Sequence, residues 1–120
     1  MSVLFKGGTI VNATGRYLAD VFADGSTIKA IGTDLDNPAD EIVDAKGKYI
    51  LPGAIDPHTH ISMPFMGTHA QDNYETGTIA AACGGVTCVV DFDLQQKGET
   101  LFEALERKKA LAEGKVCVDY

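Results

Sequence analysis

Two histidines in the stretch Asp56-Pro57-His58-Thr59-His60 have the type and spacing to do chemistry. In an extended strand alternate residues share a face, so Asp56, His58 and His60 point one way while Pro57 and Thr59 point the other. Positions two apart are separated by roughly 6.6 Å along the strand, and two imidazoles can converge from there on one ion. If the ion is zinc, each nitrogen stands about 2.0–2.1 Å from it. Taken alone, a His-x-His pair fits two surface or loop histidines equally well. Three neighbours favour a metal: the apolar run before the pair, Asp56 on its face, and a long loop with Gly, Pro and Met after it. A hydrolytic centre needs at least a third protein ligand and an open position for water. His58 and His60 are therefore candidate metal ligands and not a complete site.

The other chemistry-bearing residues read less sharply. His69 is a lone loop histidine facing water. Asp91 and Asp93 flank Phe92 at the end of an apolar run and either approach the same site or serve as structural strand-end carboxylates. Met63, Phe65 and Met66 form an apolar cluster in the loop. It either packs over the mouth of the fold or covers a substrate substituent. The pairs Gly7-Gly8 and Gly84-Gly85 read as turns, with no phosphate-loop pattern at either.

The elements that must position the histidines fall into two textures. Residues 1–49 are short β-prone runs (Val3–Phe5, Thr9–Val11, Asp20–Ala23, Thr27–Ile31 and Glu41–Val43) separated by Gly, Asn, Asp and Pro. That pattern predicts a small antiparallel sheet, with Asp24-Gly25 as a hairpin turn. Residues 50–120 alternate strand and helix. A strand from Tyr49 leads to the histidines, and a loop runs from His60 to Gln71. A helix then begins at Asp72, with Glu75 as its capping partner, and stops at Gly84-Gly85. Val86–Phe92 reads as a buried strand. Thr100 and Glu103 form a capping box for a helix ending near Glu113, with Leu101, Phe102, Leu105, Leu111 and Ala112 as its apolar stripe. Arg107-Lys108-Lys109, flanked by glutamates, reads as a solvated helix face, and Val116–Tyr120 as a third strand. Alternating strands and helices predict βαβ units and a parallel sheet, the α/β class. The last strand has no following helix or further neighbour, so the chain reads as cut within a larger fold.

Composition narrows the partners. With 45% hydrophobic and 22% charged residues the chain reads as a soluble globular protein. A net charge of -7 disfavours nucleic acid and anionic membranes, which select for an excess of Lys and Arg. No apolar run approaches the ~20 residues of a membrane helix, and the start lacks a signal-peptide pattern. Cys83, Cys88 and Cys117 show no Cys-x-x-Cys spacing and read as small buried thiols in a reducing, cytoplasmic compartment.

The segment Pro52-Gly53-Ala54-Ile55-Asp56-Pro57-His58-Thr59-His60 resembles the entry motif of the cyclic amidohydrolases. Met63-Pro64-Phe65-Met66-Gly67-Thr68, then Asp72 to Tyr74, Thr76-Gly77-Thr78, Ala80-Ala81, Gly84-Gly85-Val86-Thr87 and Val90-Asp91-Phe92 are similar to the D-hydantoinase/dihydropyrimidinase family. The resemblance covers essentially the whole chain. It implies N-terminal β-sandwich strands at 1–49, followed at 50–120 by the first βαβαβ units of an incomplete, metal-dependent (β/α)8 TIM barrel. It also implies two Zn2+ ions per complete site, His58 and His60 ligating the more buried one, and Met63 and Phe65 in a gating loop around the substrate's ring substituent. The reaction implied is hydrolysis of a cyclic amide or ureide in hydantoins or 5,6-dihydropyrimidines, as in pyrimidine catabolism. The family's bridging carbamylated lysine, later histidines and catalytic aspartate would lie beyond Tyr120. The expectation is thus an N-terminal fragment, inactive alone, of a homo-oligomeric (by family analogy tetrameric) enzyme. Dihydroorotases resemble this motif but carry arginine where Ser62 stands, and collapsin-response-mediator relatives replace a metal-binding histidine that is present here. Two rivals stand beside this reading: a non-catalytic assembly scaffold of the same fold, and a self-contained small α/β binding module.

Overall fold

β-branched and aromatic residues recur in short runs through the first fifty positions. In the computed structural model, which describes residues 1–120, they form one five-stranded sheet. The chain divides into two units, Met1–Pro52 and Gly53–Tyr120. In the first, β1 (Ser2–Asn12) pairs antiparallel with β2 (Gly15–Asp24), and β2 pairs antiparallel with β3 (Thr27–Gly32). β4 (Glu41–Asp44) and β5 (Tyr49–Ile50) then lie parallel to β1. The sheet is mixed, against the antiparallel expectation, because both late strands run in the direction of β1. Gly7-Gly8 is not a turn. β1 continues through it with a register shift between Phe5 and Gly8, and Gly7 takes a φ of 72°, the geometry of a bulge.

One buried carboxylate secures that bulge. Asp20 accepts hydrogen bonds from the Gly7 amide at 2.7 Å and the Leu35 amide at 3.0 Å. The Gly7 bond holds its carboxyl below the usual range against the opposing effect of burial, with Leu35 and Lys6 adding to the lowering. Ile10, Ala19 and Val21 form the buried cluster of this unit, with Phe5 and Ile50 packed on it.

In the second unit β6 (Ala54–Thr59) is followed by a hairpin of β7 (Pro64–Phe65) and β8 (Thr68–His69), then α1 (Tyr74–Cys83), β9 (Val86–Asp91) and α2 (Leu101–Ala112). β6 and β9 pair parallel, as the strand–helix–strand pattern predicts. The expected single strand from Tyr49 to Asp56 is broken at Leu51-Pro52-Gly53, and Tyr49–Ile50 belongs to the first sheet. Part of the long loop is ordered as β7–β8. Met66 and Gly67 both have positive φ, 49° and 81°, as a two-residue type I′ hairpin requires.

α1 starts one residue later than expected. Asn73 is its cap, exchanging hydrogen bonds with Thr76, whose hydroxyl also donates to Asp72. The Thr100–Glu103 box opens α2 as expected. Its apolar stripe, however, meets the core only at Ala112: Leu101 and Phe102 are 74% and 71% exposed and Leu105 and Leu111 are exposed as well, while the buried face is Ala104, Lys108 and Ala112. Small residues let α2 approach closely enough for a lysine to reach inward, and hydrophobic periodicity misses that choice. The basic trio is accordingly split. Only Lys109 keeps an exposed pair, with Glu106, while Arg107 holds Glu99 at 2.9 Å and Asp93 at 3.3 Å. The third strand shrinks to a single parallel bridge, Cys88 to Asp119. Cys83 and Cys117 are exposed, contrary to the buried-thiol expectation, and all three cysteines are free. No helix is long and apolar enough to cross a membrane.

The core of this unit gathers Ile61, Tyr74, Val89 and Ala112, with Val86, Val116 and Val118 against them. Within it lies a closed polar cluster. Asp91 Oδ2 accepts from the Tyr74 hydroxyl at 2.7 Å and from Lys108 Nζ at 3.1 Å. Asp91 Oδ1 accepts from Thr59 Oγ1 at 3.1 Å and from the Ile61 and Phe92 amides at 3.0 and 2.9 Å. The Asp91 and Lys108 side chains are only 6% and 8% exposed. Burial opposes the charged carboxylate, yet the bonds from Tyr74, Ile61 and Lys108 outweigh it and hold Asp91 below its ordinary pKa. Burial first, and then the bond to Asp91, pushes the Tyr74 phenol far above its ordinary value.

Two outcomes follow for stability. A Cβ on Gly53 would lie 2.1 Å from Thr87 Oγ1 and 2.7 Å from Thr87 Cβ, so Gly53→Ala is expected to cost about 1–3 kcal/mol in urea unfolding. The cost should shrink in a Thr87→Gly background, and additive costs would refute the clash. Because the folded pKa of Asp91 is lowered, its contribution is complete above the unfolded carboxylate pKa of about 3.9 and disappears as pH falls through the folded value. Urea midpoints followed from about pH 5 to pH 2 should fall less steeply for Asp91→Asn than for the parent chain; equal slopes would rule this contribution out.

Candidate metal centre

β6 delivers the two histidines to its own C-terminal end, the edge where parallel α/β sheets place their chemistry. The alternation expected of a strand is present. Thr59 turns toward β9, its hydroxyl on Asp91 Oδ1 and the Val90 carbonyl, while His58 and His60 meet each other. Their Nε2 atoms are 2.9 Å apart. Asp56, expected on the same face, accepts from the His58 amide through Oδ1 at 3.1 Å.

Two further side chains frame the imidazoles. Phe92, one residue past β9, lies 4.5 Å from the His58 ring and is stacked on His60 at 5.5 Å between centroids. Met63 is buried, with Sδ 3.2 Å from His60 Nδ1. A thioether accepts but does not donate, so this contact is a hydrogen bond only when Nδ1 carries the proton. That tautomer leaves the lone pair of His60 on Nε2, the atom facing His58. Phe65 stands on β7 and is 54% exposed as a residue, and His69 is exposed on β8.

Two convergent imidazole nitrogens are a donor set suited to a borderline metal such as zinc, with the outer nitrogen of one already oriented. The residues present therefore fit a metal ion, and they supply two of the three or more protein ligands a catalytic site needs. No cluster of three or more His, Cys, Asp or Glu side chains surrounds the pair. Asp91 and Asp93 are engaged with Lys108 and Arg107, the structural alternative left open by the sequence.

Sequence reasoning missed Phe92, Tyr74 and Lys108. Phe92 was read only as the last residue of a buried strand, which in the structure ends one residue earlier. Tyr74 looked like any first-turn residue of a helix, and Lys108 was hidden in a charged run.

Residues 49–118 match the amidohydrolase family. Over 120 residues the chain is 50% identical to the D-hydantoinase of Geobacillus stearothermophilus, and it is 44% identical to the dihydropyrimidinase of Rattus norvegicus over 123 residues. These alignments cover 100% and 98% of the chain but only 26% and 24% of those relatives, so the chain spans about a quarter of their length. The crystal structure of dihydropyrimidinase from Brevibacillus agri superposes on the whole chain with a TM-score of 0.96 at 50% identity, covering 26% of that structure. The L-hydantoinase of Arthrobacter aurescens still gives 0.80 at 28% identity, over 98% of this chain and 26% of its own. Sequence and backbone agree, and the chain belongs to the amidohydrolase family.

Proposed function

We propose that His58 and His60 are two ligands in the metal centre of a cyclic amidohydrolase that opens the ring amide of hydantoins or 5,6-dihydropyrimidines. The observation that carries this reading is the convergence of their Nε2 atoms to 2.9 Å at the end of a parallel strand. Its support is the identity of the chain to a D-hydantoinase and a dihydropyrimidinase along its whole length. In this reading residues 1–49 are β-sandwich strands and 50–120 the first units of a (β/α)8 barrel, and two Zn2+ ions occupy the complete site. The protein works as a cytoplasmic homo-oligomer; its three free cysteines suit a reducing compartment.

When bound, the metal polarises the ring carbonyl and activates water. The chain's own residues prepare that step. His58 and His60 present lone pairs to one point. Met63 accepts from His60 Nδ1 when that atom carries the proton, and Phe92 walls the imidazoles on one side. Met63 and Phe65 bound the substrate's ring substituent, Phe65 from a hairpin that leaves its ring free. The remaining ligands and the proton-shuttling group come from outside these 120 residues. Ser62 stands where a carboxylate-binding arginine would be needed, which favours uncharged ring substrates over dihydroorotate.

The test uses the intact gene product. Hydantoin and 5,6-dihydrouracil opening should be measurable, and zinc content should fall by at least one ion per chain in His58→Asn and His60→Asn, with kcat/KM reduced at least about 10³-fold. Full metal content and undiminished rates in both variants would refute the assignment. An intact protein that takes up no metal and opens neither ring would favour the scaffold reading.

A further inference from the structure

β6 does not fix the histidines by backbone pairing alone. Its register with β9 is regular at Ile55 and Asp56 but shifts between Asp56 and Thr59, the stretch containing Pro57, which has no N–H, and His58. Pairing resumes only at Thr59, so the ladder is irregular where the first ligand emerges. Beyond the strand, Ile61 follows His60 directly. Its two backbone polar groups are held by side chains from distant elements: Asp91 Oδ1 accepts from the amide, and Lys108 Nζ donates to the carbonyl oxygen. Thr59, between the two ligands, donates to the same carboxylate. The residues on either side of His60 thus share one ion pair. Tyr74 closes it, with 1% exposure, a 2.7 Å bond to Asp91 and its ring 5.5 Å from Lys108 Nζ.

Burying an ion pair is a poor way to gain stability, because desolvation offsets much of the attraction and apolar replacements often do as well. Fixing geometry is a use that apolar packing serves less well. The three groups come from β9, α1 and α2, so the cluster refers the two imidazoles to three separate elements at once. None of them touches a histidine nitrogen, and they act only through Thr59 and Ile61.

We propose that the Asp91–Lys108–Tyr74 cluster positions the metal centre: by clamping Thr59 and both peptide groups of Ile61 it sets the directions of His58 and His60. This inference rests on the assignment of those histidines as ligands. It adds positioning residues that neither the histidine motif nor any charge pattern marks.

The experiment strips the intact gene product of metal and titrates it with Co2+, whose visible d–d bands report ligand geometry, and with Zn2+ against a competing chelator. The decisive variant is Asp91→Asn/Lys108→Met, which removes both charges together and leaves no isolated buried ion. It is expected to unfold cooperatively, to show altered Co2+ bands, and to bind Zn2+ about 10–100-fold more weakly. Its kcat should fall more than its KM rises. Asn73→Ala, which removes the α1 cap, is the comparison: it should lower the melting temperature without moving the Co2+ bands. A folded double variant with parental bands and affinity would overturn the proposal. If that variant does not fold, Thr59→Val, which deletes only the hydroxyl between the ligands, decides. Shifted bands support the clamp, and parental bands and affinity reject it. A parent protein that takes up neither metal would overturn the ligand assignment and this inference together, whereas normal uptake with indifferent variants overturns only the clamp.

Discussion

The Asp91 carboxylate is the constraint on which the second unit depends. Carboxylates are costly to remove from water, and this one is removed almost completely, so every lone pair it offers must be used. The donors it gathers come from β6, the residue following the histidines, α1 and α2. Two parallel strands with a single buried apolar cluster have few other means of fixing two helices and a strand end at once. The Asp91 and Lys108 side chains are almost wholly removed from water, which strengthens the bonds between them.

That arrangement separates two tasks along four residues of chain. His58 and His60 turn their rings toward each other, and Thr59 and Ile61 are bonded to the cluster. Strand alternation makes the division possible, since neighbours on a strand cannot share a face. Phe92 and Asp91 repeat the division on β9: the aromatic ring lies against the imidazoles, and the carboxylate lies beneath them.

Much of this was legible in the sequence, and what was missed has identifiable physical causes. The His-x-His spacing, the Thr100–Glu103 box and the Gly84-Gly85 stop are local signals, and local geometry reproduced them. Parallel pairing of β6 with β9 followed from the alternation of strand and helix. The failures are tertiary. Gly7-Gly8 carries turn composition, yet a buried Asp20 holds it as a bulge. Of the stripe expected on α2 only Ala112 reaches the core, because the core there wants methyl groups and one lysine stem, and hydrophobicity counts Lys108 as solvent. Asp91 and Asp93 could not be sorted between site and scaffold until Lys108 and Arg107 were located beside them.

The buried face of α2 sets a dimension as well as a contact. Ala104 and Ala112 stand four residues on either side of Lys108, and both are fully covered. Where a helix rests on methyl groups, the thickness of the layer beneath it is the thickness of those groups. The reach of a lysine stem must match that gap to arrive at both Asp91 and the Ile61 carbonyl. The two alanines therefore act as spacers that set how far Lys108 must reach. Drift at either position toward a bulkier side chain would draw Lys108 away from Asp91 and the Ile61 carbonyl, leaving every residue of the His-x-His motif intact.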